Sequence, residues 1–185
     1  MPDAPSGKSS GAPPAESAYY ASLARSRGSA GALLLDAHDR VLLAKPSYKP
    51  VWDLPGGVID AGESPRETCL REVAEELALT PVLDRLIGVI WIPPWPPRAP
   101  SNVFVFGGRI SAEEAAGIRM RPEEIADYGF FGPDDQLPPM ERLTVRKVTT
   151  CAAGLRNGET VYYEEHEKPG WYGTPDAAPT RVETR

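Results

Sequence analysis

GVIDAGESPRETCLREVAEELAL, Gly57 to Leu79, contains a helix start that is marked three times over. Ser64 stands where an N-cap belongs, Pro65 at the first helical position and Glu67 three residues after the cap. This is a capping box with proline at N1, and it predicts a helix from Ser64 to about Leu79. At about 100° per residue, Leu70, Val73, Ala74 and Leu77 share one side and face a core. Glu72, Glu75 and Glu76 fall nearly opposite. Like charges at helical spacing cost roughly 0.2–0.5 kcal/mol per pair, so an enclosed face of this kind needs an offsetting charge. An acidic face alone is usually solvated surface. This one follows the Gly56-Gly57 pair, where backbone can approach a ligand closely, and a loop, Val58–Glu63, joins the pair to the helix. A divalent cation supplies the offset. Oxygen ligands without Cys or His point to Mg²⁺ or Mn²⁺ rather than zinc.

Outward from this segment, Ser29–Leu35 and Val41–Lys45 read as strands around the turn Asp36-Ala37-His38-Asp39. Trp52-Asp53-Leu54 reads as a short strand entering the glycine pair. Val82–Ile92, Asn102–Ile110 and Tyr128–Phe131 are further strands. Pro93-Pro94-Trp95-Pro96-Pro97 cannot stay inside a sheet and reads as a loop. Pro138 to about Ala153 is a second helix that ends near Gly154. Residues 1–27, rich in Pro, Ser, Gly and Ala, read as a disordered tail with one aromatic pair, Tyr19-Tyr20. Residues 167–185 read as a loose tail anchored only by Trp171, which leaves a domain at 28–166. Strands first, with one helix mid-chain and one late, predict an α+β or α/β/α sandwich.

A chain of 185 residues buries a core without staples. A net charge of −6 excludes the basic footprint of a protein that binds nucleic acid polymers. Two cysteines, Cys69 and Cys151, make no disulfide framework and fit a reducing cytoplasm. No stretch has the length of a membrane span and the N-terminus does not read as a signal peptide. The two histidines, His38 and His166, lie in a turn and near a tail, and read as surface residues. Cys69 falls on the polar side of the helix wheel and reads as a small, partly buried filler.

The segment resembles the signature of the Nudix hydrolase family: Gly, five residues, Glu, seven residues, then Arg-Glu-apolar-any-Glu-Glu-any-Gly-apolar. Gly57, Glu63, Arg71, Glu72, Val73, Glu75, Glu76 and Leu79 match it, and Trp52-Asp53-Leu54-Pro55-Gly56 resembles the usual lead-in. One position departs: Ala78 stands where the family has glycine. This reads as a packing change of one methyl group that keeps helical geometry easy.

The resemblance implies an α/β fold, a Nudix-type α/β/α sandwich around a mixed β-sheet. It implies hydrolysis of a nucleoside diphosphate derivative, such as an ADP-ribose-like molecule, by metal-activated water. Glu72, Glu75 and Glu76 would be metal ligands, with the Gly57 carbonyl adding an oxygen. Arg71, Glu63 and Gly56 would support the site: Arg71 by pairing with carboxylates, Glu63 by fixing the loop or holding a metal through water. The general base in the family comes either from the signature helix or from a distal glutamate. The catalytic set is therefore Glu72 and Glu76 with Glu124, chosen over Glu123 as the distal carboxylate.

Other residues remain open between two readings. Trp95, with Trp91 at the other end of the proline loop, either stacks a nucleobase or packs on the sheet edge. Arg98, Arg109 and Lys45 are candidate phosphate contacts or ordinary surface cations. Trp52 reads as core. Exposed aromatics in the proline loop suggest a homodimer. Competing readings of the whole chain are a nucleoside triphosphate pyrophosphohydrolase and a non-catalytic ligand sensor. The four intact signature glutamates and the lack of room for a DNA-binding module argue against the sensor.

Overall fold

The computed structural model describes residues 14–166. The expectations for residues 1–13 and for the tail beyond 166, including Trp171, lie outside it. Seven strands and four helices follow in the order α1 (Pro14–Ser22), β1 (Arg27–Leu35), β2 (Val41–Pro46), β3 (Gly56–Val58), α2 (Pro65–Leu77), β4 (Leu83–Ile92), β5 (Ser101–Arg109), α3 (Ala112–Gly117), β6 (Ile125–Phe131), α4 (Arg142–Asn157) and β7 (Val161–Glu164).

The strands form one mixed sheet in the order β6-β2-β1-β5-β4-β7, with β3 also paired to β1. β1 runs parallel to β5 and β4 parallel to β7, while the β1–β2, β1–β3, β2–β6 and β4–β5 pairs are antiparallel. Helices cover both faces, so β1 must be apolar on both sides and reads as a nearly unbroken apolar run. Ala30, Ala32 and Leu34 pack with Cys69, Val73 and Leu77 of α2. Leu33 and Leu35 pack on the other face with Val148, Cys151 and Ala152 of α4. This is the α/β/α sandwich around a mixed sheet.

Several boundaries differ from the sequence reading. Trp52–Leu54 is not a strand. Asp53 exchanges both backbone hydrogen bonds with Ala44, and the Trp52 N–H reaches the Pro139 carbonyl at 2.9 Å. That pairing holds residues 139–140 extended against the lead-in, so the late helix begins at Arg142 rather than Pro138. It also continues through Gly154 to Asn157. A Cβ on Gly154 would come within 3.2 Å of both the Glu159 carbonyl and a Val161 methyl, so this glycine makes room for β7 instead of ending the helix. Gly158, at φ 76°, is the residue that closes it. β6 starts at Ile125, three residues before Tyr128. The sequence reading did not include α3, β7 or the exposed α1 that carries Tyr19 and Tyr20. No helix among the described residues is long and apolar enough to cross a membrane.

Candidate active site

β3 brings Gly56 and Gly57 beside α2. Gly56 has φ 146° and runs so close to β1 that a Cβ would strike the backbone of Ala30 and Gly31. A Cβ on Gly57 would strike the Glu72 carboxylate, so the bare backbone there lets a glutamate of α2 lie against the strand.

Arg71 is the hub of the acidic cluster. Its Nε donates to Glu63 Oε1 at 2.7 Å and one terminal nitrogen donates to Glu63 Oε2 at 3.0 Å. The other terminal nitrogen bridges Glu72 Oε1 at 2.9 Å and Glu75 Oε2 at 3.1 Å. The Thr68 hydroxyl donates to Glu63 Oε2 at 2.6 Å. These bonds from Arg71 first and Thr68 second pull the Glu63 carboxyl down to about 2. Glu63 therefore fastens the loop to α2 with both its oxygens.

Glu76 is placed differently from the helix-wheel expectation, which set it opposite the core. It is only 9% exposed, next to the buried stripe Cys69, Val73 and Leu77, and its Oε2 accepts the Gly56 N–H at 3.0 Å. The stripe is rotated toward Cys69, which is fully buried rather than on the polar side; Leu70 and Ala74 sit at its margin. Burial pushes the Glu76 carboxyl up to about 8; the Gly56 N–H opposes this, and the charges of Glu72 and Glu124 add to it. Burial also raises Glu72, against the Arg71 hydrogen bond and with the charges of Glu75 and Glu124.

Glu124 reaches this field from 48 positions beyond Glu76 in the numbering. The Arg119 and Arg121 amides donate to the Leu77 and Glu76 carbonyls at 3.0 and 3.2 Å, which ties the loop to the C-terminal end of α2. The Arg121 guanidinium donates to Glu124 Oε1 at 2.9 Å. On the other side, the Ser47 N–H donates to the Glu124 carbonyl at 2.8 Å and the Ser47 hydroxyl to the Glu123 carbonyl at 2.6 Å. Glu123 is exposed.

Among the described residues no three His, Cys, Asp or Glu side chains are gathered at metal-holding spacing. Arg71 draws Glu72 and Glu75 to itself, while Glu76 is turned to Gly56. The donor chemistry nevertheless suits a hard cation: the signature side chains that could ligate it are carboxylates, and Arg71 is paired with three of the four glutamates. Burial holds both the Glu72 and the Glu76 carboxyls above their ordinary value.

The remaining candidates lie elsewhere. Trp95 and Arg98 exchange backbone hydrogen bonds across the Pro96–Pro97 turn, and the Trp95 indole nitrogen is buried without a partner among the described residues. The Arg98 charge is felt at Glu141, the N-cap residue of α4. Arg109 is paired with Asp39 at 2.6 Å in the β1–β2 turn. Trp52 packs edge-on to Phe131 at 5.5 Å. His38 and His166 are exposed. Burial pushes the Cys69 thiol up to about 12, so it is an inert core residue. Sequence reading missed Thr68, which carries no signal beyond a hydroxyl one turn before Glu72, and the Asp53–Lys49–Lys147 cluster behind the lead-in.

A family model described as the NUDIX domain matches residues 25–150. A Bacillus subtilis (strain 168) protein named "Putative 8-oxo-dGTP diphosphatase" is 35% identical over 92 residues, covering 47% of this chain and 60% of that protein. An ADP-ribose pyrophosphatase of Methanocaldococcus jannaschii is 34% identical over 91 residues, covering 45% of this chain and 54% of that protein. The matched region thus spans little more than half the length of these curated relatives. Among solved structures, a UDP-X diphosphatase superposes with TM-score 0.64 at 23% identity, over 84% of this chain and 76% of that one. The NUDIX domain of Shewanella oneidensis NrtR, complexed with ADP ribose, gives TM-score 0.60 at 23% identity, over 76% and 98%. At these identities the structural likeness speaks to the fold.

Proposed function

This chain belongs to the NUDIX domain family, and on that premise we propose that it is a magnesium- or manganese-dependent hydrolase of a nucleoside diphosphate derivative. The observation that carries the reading is Glu76: a nearly buried carboxylate, held by the Gly56 N–H, in the charge field of Glu72 and Glu124. Such a group is costly to fold around and gains its purpose from a cation or a proton.

Glu72, Glu75, Glu76 and the Gly57 carbonyl are the groups that would hold the ion, which neutralises diphosphate charge and acidifies water. Arg71 sets the direction of Glu72 and Glu75 while its grip on Glu63 keeps the loop beside α2. Gly56 orients Glu76. The proton of the attacking water goes to a carboxylate, Glu76 on the helix or Glu124 on the loop clamped to it. The new oxygen–phosphorus bond forms as the bridging bond breaks, and the bridging oxygen leaves with the second phosphate. The products are a nucleoside monophosphate and a phosphorylated partner. The name of the M. jannaschii relative supports an ADP-ribose-like substrate. That of the B. subtilis relative supports a second reading, release of inorganic pyrophosphate from a nucleoside triphosphate. Two free, buried cysteines suit a reducing cytoplasm.

The test is a panel of ADP-ribose, sugar nucleotides, dinucleoside polyphosphates and oxidised triphosphates, incubated with magnesium, with products identified by mass. A monophosphate released together with a phosphorylated partner supports the first reading, and one released together with inorganic pyrophosphate supports the second. Glu76→Gln must abolish either. A Glu76→Gln protein as active as its parent would remove Glu76 from catalysis.

A further inference from the structure

β2 ends at Pro46, and the lead-in pairs again with the sheet at Trp52 and Asp53. The short segment between them is pinned at both ends. Ser47 makes its two hydrogen bonds to the Glu123 and Glu124 carbonyls. The Lys49 ammonium pairs at 3.3 Å with Asp53, which also takes the Lys147 ammonium at 2.7 Å. Between these anchors Tyr48 is 72% exposed. Single exposed aromatics are ordinary on a surface. This one is held on a backbone tied down on both sides, and it lies within the electrostatic reach of Lys49 first and then of Glu76, Asp53 and Glu72. With Lys45, Pro46, Pro50 and Ala126 it lines an open cleft of about 360 Å³.

The Lys49 ammonium and the Glu76, Asp53 and Glu72 carboxylates act on the phenol with opposite signs, so charge does not give the ring its role. What it offers is a flat apolar surface on a segment that Ser47 ties to the Glu123–Glu124 loop and Lys49 ties to the lead-in that delivers Gly56. The neutral, planar part of a nucleotide is its base. We propose that Tyr48 is the platform on which the substrate's nucleobase stacks, with the cleft toward Lys45 and Ala126 taking the base's edge. The inference rests on the hydrolase reading, because the glutamates fix where the phosphates lie.

The experiment compares the parent, Tyr48→Ala and Tyr48→Phe by calorimetric titration with AMP, GMP and UMP and with ribose 5-phosphate, magnesium present throughout. Tyr48→Ala should weaken nucleoside monophosphates by about tenfold, the scale of one lost stacking contact, and leave ribose 5-phosphate unchanged. Tyr48→Phe should bind like the parent, because the ring and not the hydroxyl does the work. With a substrate from the panel, Tyr48→Ala should raise KM far more than it lowers kcat. Three outcomes overturn the inference: equal weakening of ribose 5-phosphate and nucleotides, nucleotide binding untouched by Tyr48→Ala, or a parent that binds none of the monophosphates. Turnover by the parent tests the hydrolase reading separately. A parent that hydrolyses the panel while Tyr48→Ala binds nucleotides normally sinks only the stacking role.

Discussion

Glu76 and Glu63 are both signature carboxylates, and the fold treats them in opposite ways. The Glu63 carboxylate takes three hydrogen bonds, two from the Arg71 guanidinium and one from the Thr68 hydroxyl, so its ionised form is favoured down to about 2. Its contribution to stability is present above its ordinary value of 4.5 and is lost only as pH falls through about 2. Glu76 is nearly buried, with only one N–H donor to oppose that and like charges that add to it, so its neutral form is favoured up to about 8. Here the sign reverses: the stability tied to the neutral carboxyl is present below 4.5 and disappears as pH rises through about 8. Metal-free parent protein should therefore melt at falling temperature from pH 5 to 9, and Glu76→Gln should flatten that slope. Above about pH 8 the variant should be more stable by on the order of 1 kcal/mol, roughly 2–4 °C for a domain of this size, while being inactive. Parallel melting curves for the two proteins would show that the buried charge costs nothing.

α2 shows how much of one element can be read from its residues and where that stops. The Ser64–Glu67 capping box is present in both directions, with the Glu67 N–H on the Ser64 hydroxyl at 3.3 Å and the Ser64 N–H on the Glu67 carboxylate at 2.8 Å. The C-terminal end is another matter. Ala78 is the C-cap, in the left-handed region at φ 55° and ψ 32°, with its N–H on the Ala74 carbonyl. The sequence reading treated the family's glycine there as a matter of packing. The backbone angle is the physical reason instead: a side chain at positive φ crowds its own carbonyl, and glycine does not. Ala78→Gly should stabilise the protein by about 0.5–1 kcal/mol, the strain relief being partly offset by the looser unfolded chain. A thermal melt measures it. A lower melting temperature would mean that Ala78 earns its place through contacts that outweigh the strain.

At the scale of the whole molecule, the two faces of the sandwich meet behind the lead-in. Asp53, on the segment that delivers Gly56, accepts from Lys147 of α4 and from Lys49, and its side chain is 23% exposed. Burial opposes its charge, yet Lys147 and then Lys49 hold the carboxyl below its ordinary value. The cluster therefore supports the fold above about pH 3.8 and fails as pH falls through its lowered value. Asp53→Asn leaves two ammonium groups facing each other and should cost on the order of 2–3 kcal/mol, read as a lower urea midpoint. An unchanged midpoint would show that α4 is held by its apolar face alone.

The amino-acid sequence alone was enough for what depends on near neighbours along the chain. Turn and cap chemistry, the i,i+4 spacing of acids on one helix and the two-faced apolar run of β1 are local, so α2, the central strands and the glutamates that α2 carries could be read directly. The tertiary structure alone decided which acid is buried, which residues reach α2 from elsewhere, and how far α4 extends. Glu124 and the Tyr48 segment are joined through Ser47 by bonds between parts far apart in the chain, and Asp53 meets α4 through the Lys147 side chain. Helical periodicity told which residues share a face, but only the packing of α2 on β1 set the rotation that leaves Glu75 with Arg71 and turns Glu76 inward.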